Sequence, residues 1–143
     1  VHPVAIAHER DERIKRLAGK MDRVLVDAPC SGLGTLRRNP DLKWRQSPAA
    51  VEEMVAKQGA ILAAAARLVR PGGRLVYATC SPLAEENDGI VDAFLAAHPE
   101  FRPLSAEEIL GKQGVSLETG ERLRMLPHVH DTDGFFAAVM ERA

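Results

Sequence analysis

Cysteine, aromatic residues and long apolar runs are all scarce in this sequence. Among 143 residues there are 2 cysteines, 1 tryptophan, 1 tyrosine and 4 phenylalanines. Two cysteines cannot build the disulfide framework of a small secreted domain. No apolar run approaches the roughly 20 residues that a membrane-spanning helix needs. Since no signal peptide is recognisable either, we expect a protein of the reducing cytoplasm and exclude the secreted and membrane classes.

Net charge is almost absent as well. The formal charge is −1, which argues against a protein that holds nucleic acid by bulk electrostatics alone. Hydrophobic residues make up 45% and charged residues 27%, the composition of an ordinary globular protein. No internal repeat or linker divides the chain. We therefore treat residues 1–143 as a single unit with one core.

The order of the apolar segments predicts an α/β fold. Residues 24–26 form a β-branched run that predicts a short strand buried on both faces, and residues 75–79 predict a second buried strand. Between them, a stripe of 3.6-residue period predicts a long helix that begins after Ser47 and reaches about Val69. A further helix is predicted over residues 84–97. Strands joined by helices in this way lie parallel in one sheet.

The remaining segments give weaker signals. Residues 4–7 are a weak strand candidate, and residues 101–104 predict a short strand followed by a helix capped by Ser105. Residues 122–126 and 135–140 are expected to be the last two strands. The Pro-Gly-Gly run that precedes residue 74 is a strong turn signal.

Three interpretations depend on packing that the sequence does not show. Gly59 interrupts the long helix at a cost of about 1 kcal/mol relative to alanine, which suggests that another backbone passes close by. Trp44 is interpreted as a packing residue in preference to a base-stacking one. Gly134 belongs to a turn after which Phe135 and Phe136 are expected to enter the core.

Each of the two buried strands ends in a cysteine followed by serine. Asp27 closes the first strand and Cys30 follows it, while Cys80 follows the second strand. In a parallel sheet these side chains meet at one edge, where open α/β folds bind ligands. Two thiols beside a carboxylate are compatible with metal binding, redox exchange or covalent catalysis. Metal binding lacks enough ligands and redox pairs are usually close in sequence, so covalent catalysis fits best.

Several motifs in this order resemble one known family. DAPCSG, NPDLKWR, RPGGRLVYATCS, EEN and DGFF are similar to motifs of the Nol/Nop/Sun RNA cytosine-5 methyltransferases, and especially of those that act on bacterial 16S ribosomal RNA. The resemblance runs from about Asp22 to the end of the chain. It implies a Rossmann-like class I methyltransferase sheet, mostly parallel with an antiparallel C-terminal strand. It also implies that residues 1–143 are the C-terminal portion of one catalytic domain, without its first strands.

The resemblance implies a role for four residues at the predicted site. Cys80 would be the nucleophile that adds to C6 of the target cytosine. Asp27 would hydrogen-bond the cytosine ring and lie close to the cofactor, S-adenosylmethionine. Cys30 would assist loss of the C5 proton or release of the product. Pro29 would shape the loop against the base and the cofactor.

The cofactor side of the family pattern is incomplete in this sequence. No glycine-rich strand-to-helix loop of the kind that binds the methyl donor occurs. The family's acidic residue near the adenine corresponds, by counting back from Asp22, to His8, with Glu9 beside it. We therefore expect these residues alone to bind the cofactor poorly and to be inactive. An exposed sheet edge would also allow self-association.

The substrate implied by the resemblance is RNA, with ribosomal RNA as the expected partner and no membrane. Arg38, Lys43 and Arg45, together with Arg37, are candidates for phosphate contacts, and a solvated basic loop is the alternative. No metal site is predicted. A different class of function also fits the motifs: a non-catalytic RNA-binding or assembly module that retains the site sequence.

Overall fold

The structure, a computed structural model, describes residues 2–143. No helix in this range is both long and apolar enough to cross a membrane. The helices and strands are, in chain order, α1 (Glu12–Lys15), β1 (Met21–Asp27), α2 (Leu42–Arg45), α3 (Pro48–Ala66), β2 (Val69–Thr79), α4 (Asp88–Ala97), β3 (Phe101–Leu104), α5 (Ala106–Lys112), β4 (Leu123–Met125), α6 (Pro127–His130) and β5 (Phe135–Arg142). One turn of 3₁₀ helix spans Leu33–Thr35.

The strands form one mixed sheet of five strands. Its order is β1-β2-β5-β3, and β4 also pairs with β5. β1 and β2 are parallel, whereas β5 runs antiparallel to β2, β3 and β4. This confirms the predicted partial Rossmann-like sheet with an antiparallel C-terminal strand. β1 is an edge strand.

The core lies on one face of this sheet. Val26, Tyr77 and Ala138 stand side by side in the register of β1, β2 and β5, and all three are buried. Leu62 from α3 and Phe94 from α4 belong to the same hydrophobic cluster. The two long helices therefore cover the Val26 face and fix the carboxyl ends of β1 and β2 relative to each other.

The prediction that β1 is buried on both faces is wrong. Leu25 points away from the core and is 67% exposed, and its register partner Val76 is only half-buried. Val139 continues this row on β5 and is half-buried as well. An apolar run predicts burial of both faces only when helices cover both, and α3 and α4 pack against the cluster on the opposite face.

The helix signals are confirmed at the two predicted caps, and one strand signal is wrong. The Ser47 hydroxyl accepts a hydrogen bond from the N–H of Ala50, and that of Ser105 from the N–H of Glu108. Residues 4–7 form no strand, and both Val4 and Ile6 are exposed. A segment of this length becomes a strand only when a neighbouring strand supplies hydrogen bonds.

Glycine and aromatic positions also differ from the predictions. A Cβ built on Gly59 meets nothing within 4 Å, so no other backbone passes close to that point of α3. The predicted turn at Pro71–Gly73 lies inside β2 as an irregularity of the register, with Gly72 at φ +74°. Phe136 is buried, but Phe135 is 40% exposed because successive side chains of β5 point to opposite faces.

Candidate active site

β1 and β2 end side by side, which places the loops that follow them next to each other. Asp27 pairs with Ala78 in the parallel register, and the N–H of Ala28 donates to the Ala78 carbonyl over 2.9 Å. We call residues 28–34 and 80–87 the cysteine loops. Their adjacency follows from the pairing of two strands that are far apart in sequence.

The two cysteines lie in contact. The Sγ atoms of Cys30 and Cys80 are 3.4 Å apart, although the residues are 50 positions apart in sequence. Both thiols are free and half-buried. The structure thus brings together the two thiols that the strand order predicts at one edge of the sheet.

The environment of Cys30 keeps its thiol protonated. Burial raises the pKa of Cys30 to about 12, and the adjacent Cys80 adds to the increase. Burial also raises the pKa of Tyr77, which lies beneath the loops and donates to the Glu86 carbonyl over 2.7 Å. At neutral pH Cys30 is therefore a neutral thiol beside the second sulfur.

Asp27 presents a free carboxylate at the same end of the sheet. The residue is exposed, and within residues 2–143 its side chain makes no hydrogen bond or ion pair. Pro29 is exposed too, while its carbonyl accepts a hydrogen bond from Gln58 Nε2 over 2.9 Å. The loop is thus held from the α3 side and leaves the Asp27 carboxylate open to a ligand.

His8 lies apart from this group. It is exposed, and its Nδ1 accepts from the N–H of Arg10 over 3.1 Å. It lines a cavity of about 340 Å³ between the N-terminal segment and α3, with Ile6 and Ile61 among the other lining residues. No residue of the cysteine loops lines that cavity. A cofactor role for His8 stays a prediction.

A buried carboxylate that sequence reasoning did not assign joins the two loops. Glu86 is fully buried and accepts hydrogen bonds from Ser31, Ser81 and Gln58. The Asn87 side-chain amide donates to the Ser81 carbonyl over 2.8 Å. The available signal was the Glu-Asn pair of the EEN motif, which follows Cys80-Ser81 within one loop.

A close approach of two backbones fixes the far end of the first loop. The N–H of Gly34 donates to the Cys80 carbonyl over 2.9 Å, and the N–H of Gly134 donates to the Gly34 carbonyl over 2.7 Å. A Cβ on Gly34 would lie 2.3 Å from the Gly134 oxygen and 2.7 Å from the Cys80 oxygen. Only glycine fits at this position.

The predicted phosphate-binding cations occupy the segment that carries an exposed tryptophan. Trp44 is 80% exposed, so its interpretation as a packing residue is wrong. The Lys43 Nζ lies 4.8 Å from the centroid of the Trp44 ring. Arg38 forms an ion pair with Asp133, and Arg45 one with Asp41. Arg37 lies 3.3 Å from Asp131. Trp44 lies in α2. Gln46, the residue that follows α2, donates to the Ser31 carbonyl over 2.7 Å and so attaches this helix to the first cysteine loop.

The reactive groups of the candidate site are thiols and a carboxylate. Within the described residues 2–143, no group of three or more His, Cys, Asp or Glu side chains could hold a metal ion. The two sulfurs are in contact at the strand ends, and the exposed carboxylate of Asp27 stands at the end of β1 on the same edge of the sheet. Such a set suits covalent addition of a sulfur to an electrophilic ring, while the carboxylate hydrogen-bonds to the nitrogens of that ring.

Known proteins are similar to this chain in sequence and in fold. The family model for the 16S rRNA methyltransferase RsmB/F matches residues 3–141. A protein of Synechocystis sp. named "Probable ribosomal RNA small subunit methyltransferase B" is 45% identical over 123 residues, which cover 86% of this chain and 28% of that protein. The crystal structure of PH0851 is 41% identical with a TM-score of 0.78, over 87% of this chain and 27% of that one.

A further solved structure is that of NSun6 from Pyrococcus horikoshii with SFG. It is 30% identical with a TM-score of 0.69, over 91% of this chain and 32% of that one. The chain thus spans less than a third of the length of each of these three proteins. Because the family model covers nearly all of it, the chain belongs to the RsmB/F family of 16S rRNA methyltransferases.

Proposed function

We propose that these residues carry the base-modifying site of an enzyme that methylates C5 of a cytosine in RNA, with 16S ribosomal RNA as the substrate and S-adenosylmethionine as the methyl donor. One observation carries the proposal: the Cys30 and Cys80 sulfurs lie 3.4 Å apart, at the end of the sheet where β1 also presents the exposed carboxylate of Asp27. The family match supports RNA methylation. The choice of C5 comes from the resemblance of the motifs to the cytosine-5 methyltransferases, and the thiol pair supports a covalent route.

Cys80 is the proposed nucleophile. Its sulfur adds to C6 of the cytosine, and the new bond makes C5 electron-rich enough to accept a methyl group. Burial raises the pKa of Cys30, so that sulfur holds its proton at neutral pH. Cys80 follows directly on Thr79, the last residue of β2, so the attacking group rests on a rigid element.

Asp27 is the proposed acid of the site. Its carboxylate has no partner among the described residues and can therefore meet the N3 and N4 edge of the ring, where it favours the protonated adduct. S-adenosylmethionine, when bound, supplies the methyl group that C5 takes. Asp27 and Pro29 are exposed and are the proposed cofactor contacts in this chain. The free carboxylate of Asp27 can accept hydrogen bonds from N–H and O–H groups of the cofactor.

Cys30 is assigned to product release. After methylation the C5 proton passes to a water molecule, the electrons of the C5–H bond form the C5–C6 double bond, and the Cys80 sulfur leaves C6 as a thiolate. The neutral Cys30 thiol, within 3.4 Å of the Cys80 sulfur, can donate a hydrogen bond to that sulfur as it leaves.

Lys43, Trp44 and Arg45 are the proposed contacts to the RNA strand. A base must leave its stack to reach a thiol in a loop, so the neighbouring nucleotides need support. An exposed aromatic ring supplies a stacking surface, and the cations beside it can contact phosphates. Arg38 is the fourth proposed contact, although it is paired with Asp133 here.

The test is covalent trapping on RNA that contains 5-azacytosine, with the full-length protein that includes these residues. This analogue carries nitrogen at position 5 and has no proton to lose there, so the adduct on C6 persists. We expect a protein–RNA adduct on denaturing gels that is absent in Cys80→Ser and present in Cys30→Ser. On ordinary cytosine, Cys30→Ser should accumulate adduct because release is slowed.

Two results would contradict the proposal. An adduct that survives Cys80→Ser and is absent in Cys30→Ser would reverse the two thiols. RNA binding with no adduct in the unmodified protein would favour the alternative function, a non-catalytic RNA-binding or assembly module. Glu85→Gln, a change in an exposed side chain of the second loop, is the matched control.

A further inference from the structure

Glu86 lies at the point where the two cysteine loops are joined, and its carboxylate is fully buried. Oε1 accepts from the backbone N–H of Ser31 over 2.7 Å and from Gln58 Nε2 over 3.1 Å. Oε2 accepts from the Ser31 hydroxyl over 2.6 Å and from the Ser81 hydroxyl. Each serine directly follows one of the two cysteines. One carboxylate therefore bonds to the neighbour of each reactive sulfur.

All of these donors are neutral. No lysine, arginine or histidine within residues 2–143 forms an ion pair with Glu86. A buried carboxylate without a cation is costly unless hydrogen bonds replace its water. A carboxylate has about four acceptor positions, and here four donors fill them. The arrangement indicates that Glu86 serves to hold these donors in place, since an apolar side chain would fill the space without joining the loops.

We propose that Glu86 is a positioning residue that sets the distance between the Cys30 and Cys80 sulfurs. Only one peptide unit separates each serine from its cysteine, so a shift of either serine moves a sulfur. The catalytic meaning of this distance rests on the proposed function, in which Cys30 assists Cys80. The distance itself can be tested without RNA or methyl donor.

The test uses the rate at which the two thiols close into a disulfide. Diamide takes two electrons and two protons from the thiols, so one S–S bond forms and the diamide is reduced to its hydrazine. Sulfurs held 3.4 Å apart should close rapidly. Closure is followed by mass spectrometry as the loss of both free thiols in each chain. Far-ultraviolet circular dichroism verifies that each variant is folded.

Glu86→Ala removes all four hydrogen bonds, and we expect closure at least about tenfold slower than in the unmodified chain. Glu86→Gln keeps the size and most of the hydrogen bonding, because the serine hydroxyls can rotate to accept from the amide. It should therefore recover most of the rate. The matched control is Glu85→Ala, which changes the exposed neighbour in sequence and should close at the unmodified rate.

A folded Glu86→Ala variant that closes as fast as the unmodified chain would overturn the proposal. If that variant does not fold, Ser81→Ala decides, because it removes the hydrogen bond from the residue next to Cys80 to Glu86, along with the contacts of the same hydroxyl to Ser31 and to the N–H of Leu83. Slower closure in folded Ser81→Ala supports positioning, and an unchanged rate overturns it. Failure of azacytosine trapping together with Glu86-dependent closure would reject the proposed function and leave the positioning role intact.

Discussion

The cysteine loops and the outer side of β1 belong to the same pair of strands, yet they are built in opposite ways. In the loops, hydrogen bonds to Glu86 and from Gly34 join segments that lie about 50 residues apart. Along β1, Leu25 is 67% exposed and the strand has a neighbour on one side only. One region satisfies its polar groups internally, and the other leaves an apolar side chain and a strand edge uncovered.

This difference separates the two halves of the proposed chemistry. The groups assigned to the base, Cys30 and Cys80, are held by contacts inside the chain. The group assigned to both base and cofactor, Asp27, stands at the end of the edge strand with a free carboxylate. The thiol geometry should therefore resist change except at the residues that join the loops. The exposed face and free edge of β1 should instead change their exposure when another chain segment or molecule binds there.

The largest expected effect is on the joined region. Gly34→Ala places a methyl group against backbone oxygens of Gly134 and Cys80, atoms that cannot move without shifting both loops. We expect the free energy of unfolding to fall by about 2–3 kcal/mol, the usual result of overpacking. Urea denaturation measures this change in the free energy of unfolding.

The control for Gly34 is the same substitution where space is open. A Cβ on Gly59 meets nothing within 4 Å, and the residue lies within α3. Gly59→Ala should raise the free energy of unfolding by about 1 kcal/mol through helix propensity. Equal losses of stability at both glycines would show that the contact at Gly34 does not determine the result.

The next prediction tests whether the exposed Trp44 ring is part of an RNA-binding surface. Trp44→Ala should weaken binding of single-stranded RNA by about 1–3 kcal/mol, since one stacked base is lost. The free energy of unfolding should change by less than about 0.5 kcal/mol, because the ring is 80% exposed. Trp44 is the chain's single tryptophan, so RNA should also quench its fluorescence.

Val115→Ala is the control for Trp44, because Val115 is an exposed apolar residue on a different loop. It should leave RNA affinity unchanged. If Trp44→Ala instead destabilised the protein by the roughly 3–5 kcal/mol typical of a core aromatic residue, the packing interpretation would be restored.

A smaller effect concerns the edge of β1. An uncovered strand with an exposed leucine is a template for pairing with a second copy, so we expect the average mass in sedimentation experiments to rise with concentration. Leu25→Lys should reduce that rise, and Val115→Lys should not. A mass that stays monomeric at every concentration would show that the edge is protected in solution.

Local signals in the sequence predicted much of this fold. The capping serines Ser47 and Ser105 mark helix starts because a hydroxyl accepts from a nearby N–H, which is a contact within one turn. Parallel strands that each end in cysteine predicted the meeting of Cys30 and Cys80. In both cases the deciding interaction is either local or fixed by strand order.

What escaped prediction depends on which surfaces meet. The exposure of Leu25 follows from where α3 and α4 pack, and Trp44 is exposed because no other part of the described chain covers its ring. Glu86 bonds to Ser31 across 55 positions, and Gly34 contacts Gly134 across the fold. No periodicity or propensity encodes such pairings, because they exist only after the sheet has formed.

The last prediction tests the burial of Cys30 through pH. Folding raises the pKa of this thiol to about 12, from 9.0 in the reference state. Between these values the unfolded chain has released the proton that the folded chain still holds. The free energy of unfolding must then fall as pH rises. The stabilisation is complete below about pH 9 and is lost as pH approaches about 12.

Cys30→Ser removes this titration, so its stability should decline less steeply across the same window. Burial raises the pKa of Tyr77 and the nearby Cys30 raises it further, so Tyr77 also contributes to the slope and both proteins are compared in a Tyr77→Phe background. Urea unfolding under reducing conditions at neutral and alkaline pH measures the two slopes. Parallel profiles would mean that Cys30 titrates as an exposed thiol. The assignment of Cys30 to product release would then lose the support of a buried thiol that holds its proton firmly.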